Sequence, residues 1–214
     1  MDEEIAIIDR TTRNEKIKNF FIDYKKELII FFSILILILF SYFIYGDIQE
    51  KNKKELANRY NLLTINFISG NTINTEKELI LMVEDKDKTY SPLALYFLID
   101  NNIIEEKILI NELFDILIDE TSLEKEIRNL VIYKKGLFNS DFSTENELIT
   151  ILNPVINSES IWKSHALNLL AEYFYFKNEK QKAKEFFEKI LILENGNRTL
   201  KLEAQKRLNR DFGD

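Results

Sequence analysis

The sequence predicts an all-α protein: one membrane-spanning helix near the N-terminus, then about four stacked helical hairpins and a capping helix. Three observations carry this. A run of residues free of charge appears once, near the start of the 214-residue chain. Two apolar motifs then recur in alternation through the remainder. Only five glycines and two prolines interrupt the chain, and no long stretch alternates with the period of a strand.

Composition excludes several classes. Hydrophobic residues make up 45% of the chain, too many for a disordered polypeptide. There is no cysteine, which removes a disulfide scaffold and cysteine-ligated zinc or iron–sulfur sites. The five glycines stand apart from one another, so no glycine-rich phosphate loop is present. A net charge of −7 argues against a dedicated nucleic-acid binder, which needs a basic excess to displace counterions.

The membrane segment comes first. Between Glu27 and Asp47 no residue is charged, and Leu28 to Tyr45 reads LIIFFSILILILFSYFIY. Eighteen helical residues span about 27 Å, close to the thickness of a hydrocarbon core. Tyr42 and Tyr45 lie near one end, where amphipathic rings favour the headgroup region. The preceding 27 residues and the lack of small residues around Gly46 distinguish the run from a cleaved signal peptide. The expected division is a short segment 1–27, an anchor 28–46 with ends at Leu28 and Tyr45, and a domain 47–214. Five basic residues in the fifteen before the span, against four in the fifteen after Gly46, place the N-terminus in the cytoplasm. Ahead of the anchor, Ile17, Phe20, Phe21 and Tyr24 form an apolar stripe flanked by lysines, suited to a headgroup plane or to an extension of the anchor helix.

The domain repeats. Leu93-Ala94-Leu95-Tyr96, Leu130-Val131-Ile132-Tyr133 and Leu170-Ala171-Glu172-Tyr173 share one pattern, with a looser copy at Leu56–Tyr60. Their small residues Ala57, Ala94, Val131 and Ala171 are 37, 37 and 40 positions apart. A second motif begins at Glu78, Glu112, Glu147 and Glu185, at intervals of 34, 35 and 38. Two alternating motifs at such periods are what stacked helix–turn–helix units give. The expected helices are 50–69, 75–86, 91–101, 105–119, 122–138, 144–153, 159–177, 179–194 and 199–210. Ser91 before Pro92 reads as a cap, and Thr144 with Glu147 as a capping box. Asn153-Pro154 reads as a stop or bend, and Asn101-Asn102, Asn139 and Asn178 as turns.

In the last unit, Leu167-x-x-Leu170-Ala171-x-x-Phe174 followed by Ala183, Phe187 and Ile190 resembles the tetratricopeptide repeat. Leu167 replaces its usual tryptophan, and no proline closes the unit. The resemblance implies a tetratricopeptide-like right-handed α-solenoid, in which Ala171 and Ala183 allow close helix approach. Its register points Lys125, Arg128 and Lys135 inward in the third unit, and His165, Asn168, Glu172 and Tyr175 in the fourth. These seven form the expected partner-binding groove, fit for an extended peptide or a partner's helix; they equally fit ordinary solvated helix surface. Leu202, Leu208, Lys201, Lys206 and Arg207 mark a capping helix.

The order of parts, with the Arg13-Asn14-Glu15-Lys16…Phe20…Tyr24 lead-in, the anchor and the repeat over Ala171–Ile190, resembles the YfgM-like family. Members are ancillary subunits of the SecYEG translocon. The resemblance implies a single-pass bacterial inner-membrane protein with its repeat domain in the periplasm. It implies protein partners: the Sec translocon, periplasmic chaperones and exported chains. A structural scaffold in a cell-envelope or division complex is the competing expectation.

No catalytic, cofactor or metal site is expected. His165 is the only histidine and lies near the only tryptophan, Trp162. No acid or serine stands at an indicative spacing from it. Glu105-Glu106 and Asp85-x-Asp87 read as solvated faces, and Asn197-Arg198-Thr199 matches a glycosylation acceptor by pattern alone.

Overall fold

A computed structural model describes residues 18–20, 22, 24–70 and 74–213. The Arg13–Lys16 lead-in lies outside them. Among the described residues there are nine α-helices and no strand: α1 (Lys25–Ile68), α2 (Thr75–Glu84), α3 (Tyr90–Asp100), α4 (Lys107–Asp115), α5 (Lys125–Asn139), α6 (Glu145–Ile156), α7 (Lys163–Phe176), α8 (Lys180–Leu191) and α9 (Arg198–Asp211). A π-helical turn, Ile116–Glu120, extends α4. The chain divides into two compact units, 1–58 and 59–214.

The first unit holds one helix long and apolar enough to cross a bilayer, with a mean hydropathy of 2.7 over its best window and nothing covering it. Every apolar side chain from Ile29 to Tyr45 is exposed, a far larger uncovered apolar surface than monomers in water carry. The helix does not stop where the anchor was expected to end: it continues through Gly46. The physical reason is local. Nothing lies within 4 Å of a Cβ at Gly46, and the ion pairs Asp47–Lys51 (3.0 Å) and Glu50–Lys54 (2.7 Å) fall at the helical i,i+4 spacing. The expected separate helix 50–69 is therefore the end of α1.

In the second unit the last turns of α1 pack through Tyr60 and Phe67 on Tyr90 and Phe97. Arg59 bridges Glu78 (3.1 Å) and Asp85 (2.8 Å). Beyond that, packing is serial. The closest pairs are consecutive helices: α2 with α3, α5 with α6, α7 with α8, and α8 with α9. Next-but-one helices also touch, α5 with α7 and α7 with α9. The pair α3 and α4 is more open. One contiguous apolar cluster runs from Ile132 to Ala204, with Leu152, Phe174 and Phe187 among its fully buried members.

Small residues set the closest approaches. A Cβ on Gly136 would stand 2.4 Å from Leu152 Cδ2, so the α5 backbone lies directly on the α6 side chain. Ala171 and Ala183 are fully buried, as the sequence leads one to expect. Gly136, Leu148 and Leu152 repeat the spacing of Ala171, Ala183 and Phe187 at a constant interval of 35 residues. The sequence motif instead aligned Val131 with Ala171, an offset of five, because Leu-Val-Ile-Tyr looked the better copy. Leu79/Val83, Leu113/Leu117 and Leu148/Leu152 are each 0–1% exposed, so the second motif does mark core positions.

Local details depart from the sequence reading in instructive ways. Asp87, not Ser91, caps α3: its Oδ1 accepts from the amides of Thr89 and Tyr90. Ser91 is buried and donates to the Met82 carbonyl at 2.7 Å. Asn139 ends α5, and its carbonyl accepts from the Phe142 and Ser143 amides in the turn that follows; its side chain also exchanges amide hydrogen bonds with Asn111 of α4. Asn102 (φ 49°) and Asn178 (φ 61°) do take the left-handed conformation that ends a helix. Pro154 lies inside α6 and α6 runs on to Ile156. The Thr144–Glu147 capping box forms as expected. The hydrogen bonds of the Thr144 amide and hydroxyl hold the Glu147 carboxyl below its usual range.

The Gly136–Leu152 contact yields a coupled prediction. Leu152→Ala costs about 2–5 kcal/mol of unfolding free energy. Gly136→Ala also destabilises, because overpacking outweighs the gain of about 1 kcal/mol in helix propensity. In the Leu152→Ala background that second penalty disappears. Denaturant unfolding of the four proteins tests this, and strictly additive effects contradict it.

Candidate functional site

The seven expected groove residues do not form one cluster. Arg128 Nε donates to the Ile118 carbonyl and Lys135 pairs with Asp115, so both are turned towards α4 and its π-helical turn. That turn widens the hydrogen-bond register and frees carbonyls. The Arg128 guanidinium satisfies one of them and the Thr121 hydroxyl that of Ile116. Lys125 is exposed at the start of α5. Lys135 lines an open cleft of about 550 Å³ with Asn111, Asn139, Phe142 and Glu147.

The four residues of α7 lie on a different surface, built by the odd-numbered helices α3, α5, α7 and α9. At one end, Pro92, Leu93 and Tyr96 of α3 and Ile127 and Leu130 of α5 enclose an apolar cleft of about 350 Å³. Lys134 stands 5.5 Å from the Tyr96 ring centroid. In the middle, Tyr133 stacks on Trp162 at 5.8 Å and 18°, and His165 packs against both rings at 5.8 and 5.2 Å. At the other end, Asn168 and Glu172 of α7 face Thr199, Leu202, Lys206 and Arg210 of α9 across an open groove of about 680 Å³.

Sequence reasoning missed Tyr96, Leu130 and Tyr133 as members of this face. With Gly136 in the place of Ala171, Leu130 and Tyr133 take the positions that His165 and Asn168 hold in the next unit. The second motif hid this offset, because it steps by 38 residues from Glu147 to Glu185 where the packed positions repeat at 35.

Two expected residues are already occupied from within. Glu172 accepts from Arg207 Nε (3.1 Å) and Nη2 (2.6 Å). The Arg207 guanidinium lies 4.1 Å above the Tyr175 ring, and Phe212 adds an edge contact to Tyr175. Asp211 takes the second Arg207 arm, and its carboxyl is held below its usual range by Arg210 first and by Arg207. Helix α9 thus covers α7 through Ala204, Leu208 and Phe212. Leu202, expected in that contact, is 57% exposed at the groove mouth.

The face also carries unmet polarity. Four side-chain atoms are shielded from solvent with no hydrogen-bond partner: Tyr96 Oη, Asn129 Nδ2, His165 Nδ1 and Asn168 Oδ1. All four lie on α3, α5 and α7. Buried polar atoms are normally paired, so these four are unmet polarity inside the packed helices. Burial pushes the Tyr96 hydroxyl far above its usual range, and Tyr133 moves in the same direction. No group of three or more acidic or histidine side chains that could hold a metal ion occurs among the described residues.

No protein-family model matches this chain, and no curated protein or solved structure does either.

Two substitutions separate the unmet atoms from the structural ones. Tyr96→Phe keeps the ring and deletes an unpaired hydroxyl, so stability stays level or rises by about 1 kcal/mol. Arg207→Ala strips Glu172 of its partner, leaves Asp211 with Arg210 alone and uncovers Tyr175, at a cost of about 1.5–3 kcal/mol. Thermal unfolding of both variants checks the contrast.

Proposed function

We propose that this protein is a membrane-anchored, non-enzymatic protein–protein interaction module with a tetratricopeptide-like right-handed α-solenoid as its binding domain. The observation that carries the reading is the face of α3, α5, α7 and α9, where an apolar cleft, a ring cluster and a polar groove lie in succession. An extended polypeptide offers what such a surface lacks: apolar side chains and regularly spaced amide donors and acceptors. The serial packing, the next-but-one contacts and the 35-residue interval support the solenoid. The exposed apolar helix supports a single-pass anchor.

The lysine balance around the anchor and the YfgM-like order of parts favour a cytoplasmic N-terminus, a bacterial inner membrane and a periplasmic domain. In that setting the module is ancillary to the Sec translocon and links exported proteins with periplasmic chaperones. The scaffold reading has one observation of its own. Leu62, Ile65 and Ile68 of α1 are 60–79% exposed and follow one another at a helical spacing, suited to lateral association.

The absence of cysteine makes the topology directly testable. With Lys206→Cys as the sole thiol, a membrane-impermeant maleimide added to intact spheroplasts labels the protein at once; labelling only after lysis reverses the topology. A photo-reactive residue at Tyr133 is expected to capture exported chains, chaperones or translocon subunits. Capture at Ile65 but not at Tyr133, with division or envelope proteins recovered, favours the scaffold.

A further inference from the structure

We infer that the chain pairs with a second copy of itself in the membrane, through the uncovered side of the last turns of α1. The seam is Leu62, Ile65 and Ile68, with Asn61 beside them. It is a different surface from the face of α3, α5, α7 and α9, and it stands whether or not that face binds peptide.

The end of α1 has two apolar sides and one of them is unused. From Tyr60 to Thr75 no residue is charged, the longest such run outside the anchor in a chain that is 30% charged. Within its helical part, Tyr60 and Phe67 lie against Tyr90 and Phe97, and Leu63 and Thr64 are half-buried. On the other side Leu62, Ile65 and Ile68 are 60%, 60% and 79% exposed. Their spacing of three residues keeps them within about a third of the helix circumference. Asn61 is exposed on the same side, one turn before Ile65. An apolar stripe without charge has the composition of an interface core.

The anchor selects the occupant. Span and stripe belong to one helix, with the same number of residues between them in every copy. Copies that enter one membrane in the same direction therefore hold their stripes parallel and in register. Any other partner must match the stripe in depth, direction and lack of charge; a second copy does so by construction. A two-fold axis sets Ile65 against Ile65, an isologous contact. Asn61 then meets its own counterpart, and an asparagine in a helix seam fixes register and favours two strands.

Area sets the condition. Three aliphatic side chains from each copy bury far less than the roughly 1,200 Å² of a stable interface between free proteins. Tethering to one bilayer concentrates the copies and removes part of the orientational cost, so the pair forms in the membrane and separates on dilution in detergent.

The chain has no cysteine, so single thiols report on the seam. Full-length Ile65→Cys protein, in liposomes at low protein density, is expected to give a covalent dimer on copper–phenanthroline oxidation. Asn66→Cys, also exposed but about 100° further round the helix, stays at the collision background. Adding Leu62→Glu and Ile68→Glu to Ile65→Cys abolishes the crosslink, because like charges then meet across the seam. Both positions are exposed, so an unchanged thermal midpoint shows that this variant remains folded.

Equal crosslinking of Ile65→Cys and Asn66→Cys overturns the inference, as does a crosslink that survives the two glutamates in the folded variant. A photo-reactive residue at Ile65 that captures only a different protein in cells also overturns it. Capture of a second copy at Ile65 with no capture at Tyr133 leaves the pairing in place while the peptide-binding reading falls.

Discussion

Every helix after the first is short. The helices α2 to α9 run from 9 to 15 residues, a length at which an isolated helix is marginal in water. Each must bury an apolar stripe against a neighbour, and chain connectivity makes the next helix the nearest one. Close approach then becomes the controlling requirement. Where a small residue faces a large one, as at Gly136 and Leu152, the pair closes tightly, and the buried Ala171 and Ala183 belong to the closely packed α7 and α8. Between α3 and α4 the approach is more open.

The candidate face follows from the same requirement. When consecutive helices pair, alternate helices are left side by side, and their outer residues build a common surface. The closing helix α9 occupies Glu172 and Tyr175 through Arg207, and in doing so brings Lys206 and Arg210 to the groove edge. Arg207 therefore both holds the cap and lines the groove beside Lys206 and Arg210.

The sequence made some of this legible and hid the rest for physical reasons. The apolar helix was plain, since eighteen uncharged residues in succession make a helix long and apolar enough to cross a bilayer. The Glu-led motif was reliable because Leu79, Leu113 and Leu148 are interior positions with no tolerance for polarity. The register of α5 was misleading. Val131 and Gly136 are both buried, and a sequence cannot tell which small residue bears the contact with α6. Asn139 reads as a turn former and does open the turn after α5, but its side chain is taken by Asn111. Ser91 reads as a cap until its hydroxyl is seen to reach Met82. In each case a residue with local hydrogen-bonding habits was taken by a partner distant in sequence. The groove residues divided for the same reason: Arg128 and Lys135 are committed to α4, and only the α7 set belongs to the shared face.

Native-state hydrogen exchange on the full-length protein in nanodiscs tests most directly whether serial, nearest-neighbour packing holds the domain together. The account predicts a graded pattern: the slowest amides in α7 and α8, intermediate ones in α5, α6 and α9, and the fastest helical exchange in α3 and α4. Uniform protection from α2 to α9, or slowest exchange in α3 and α4, would contradict it.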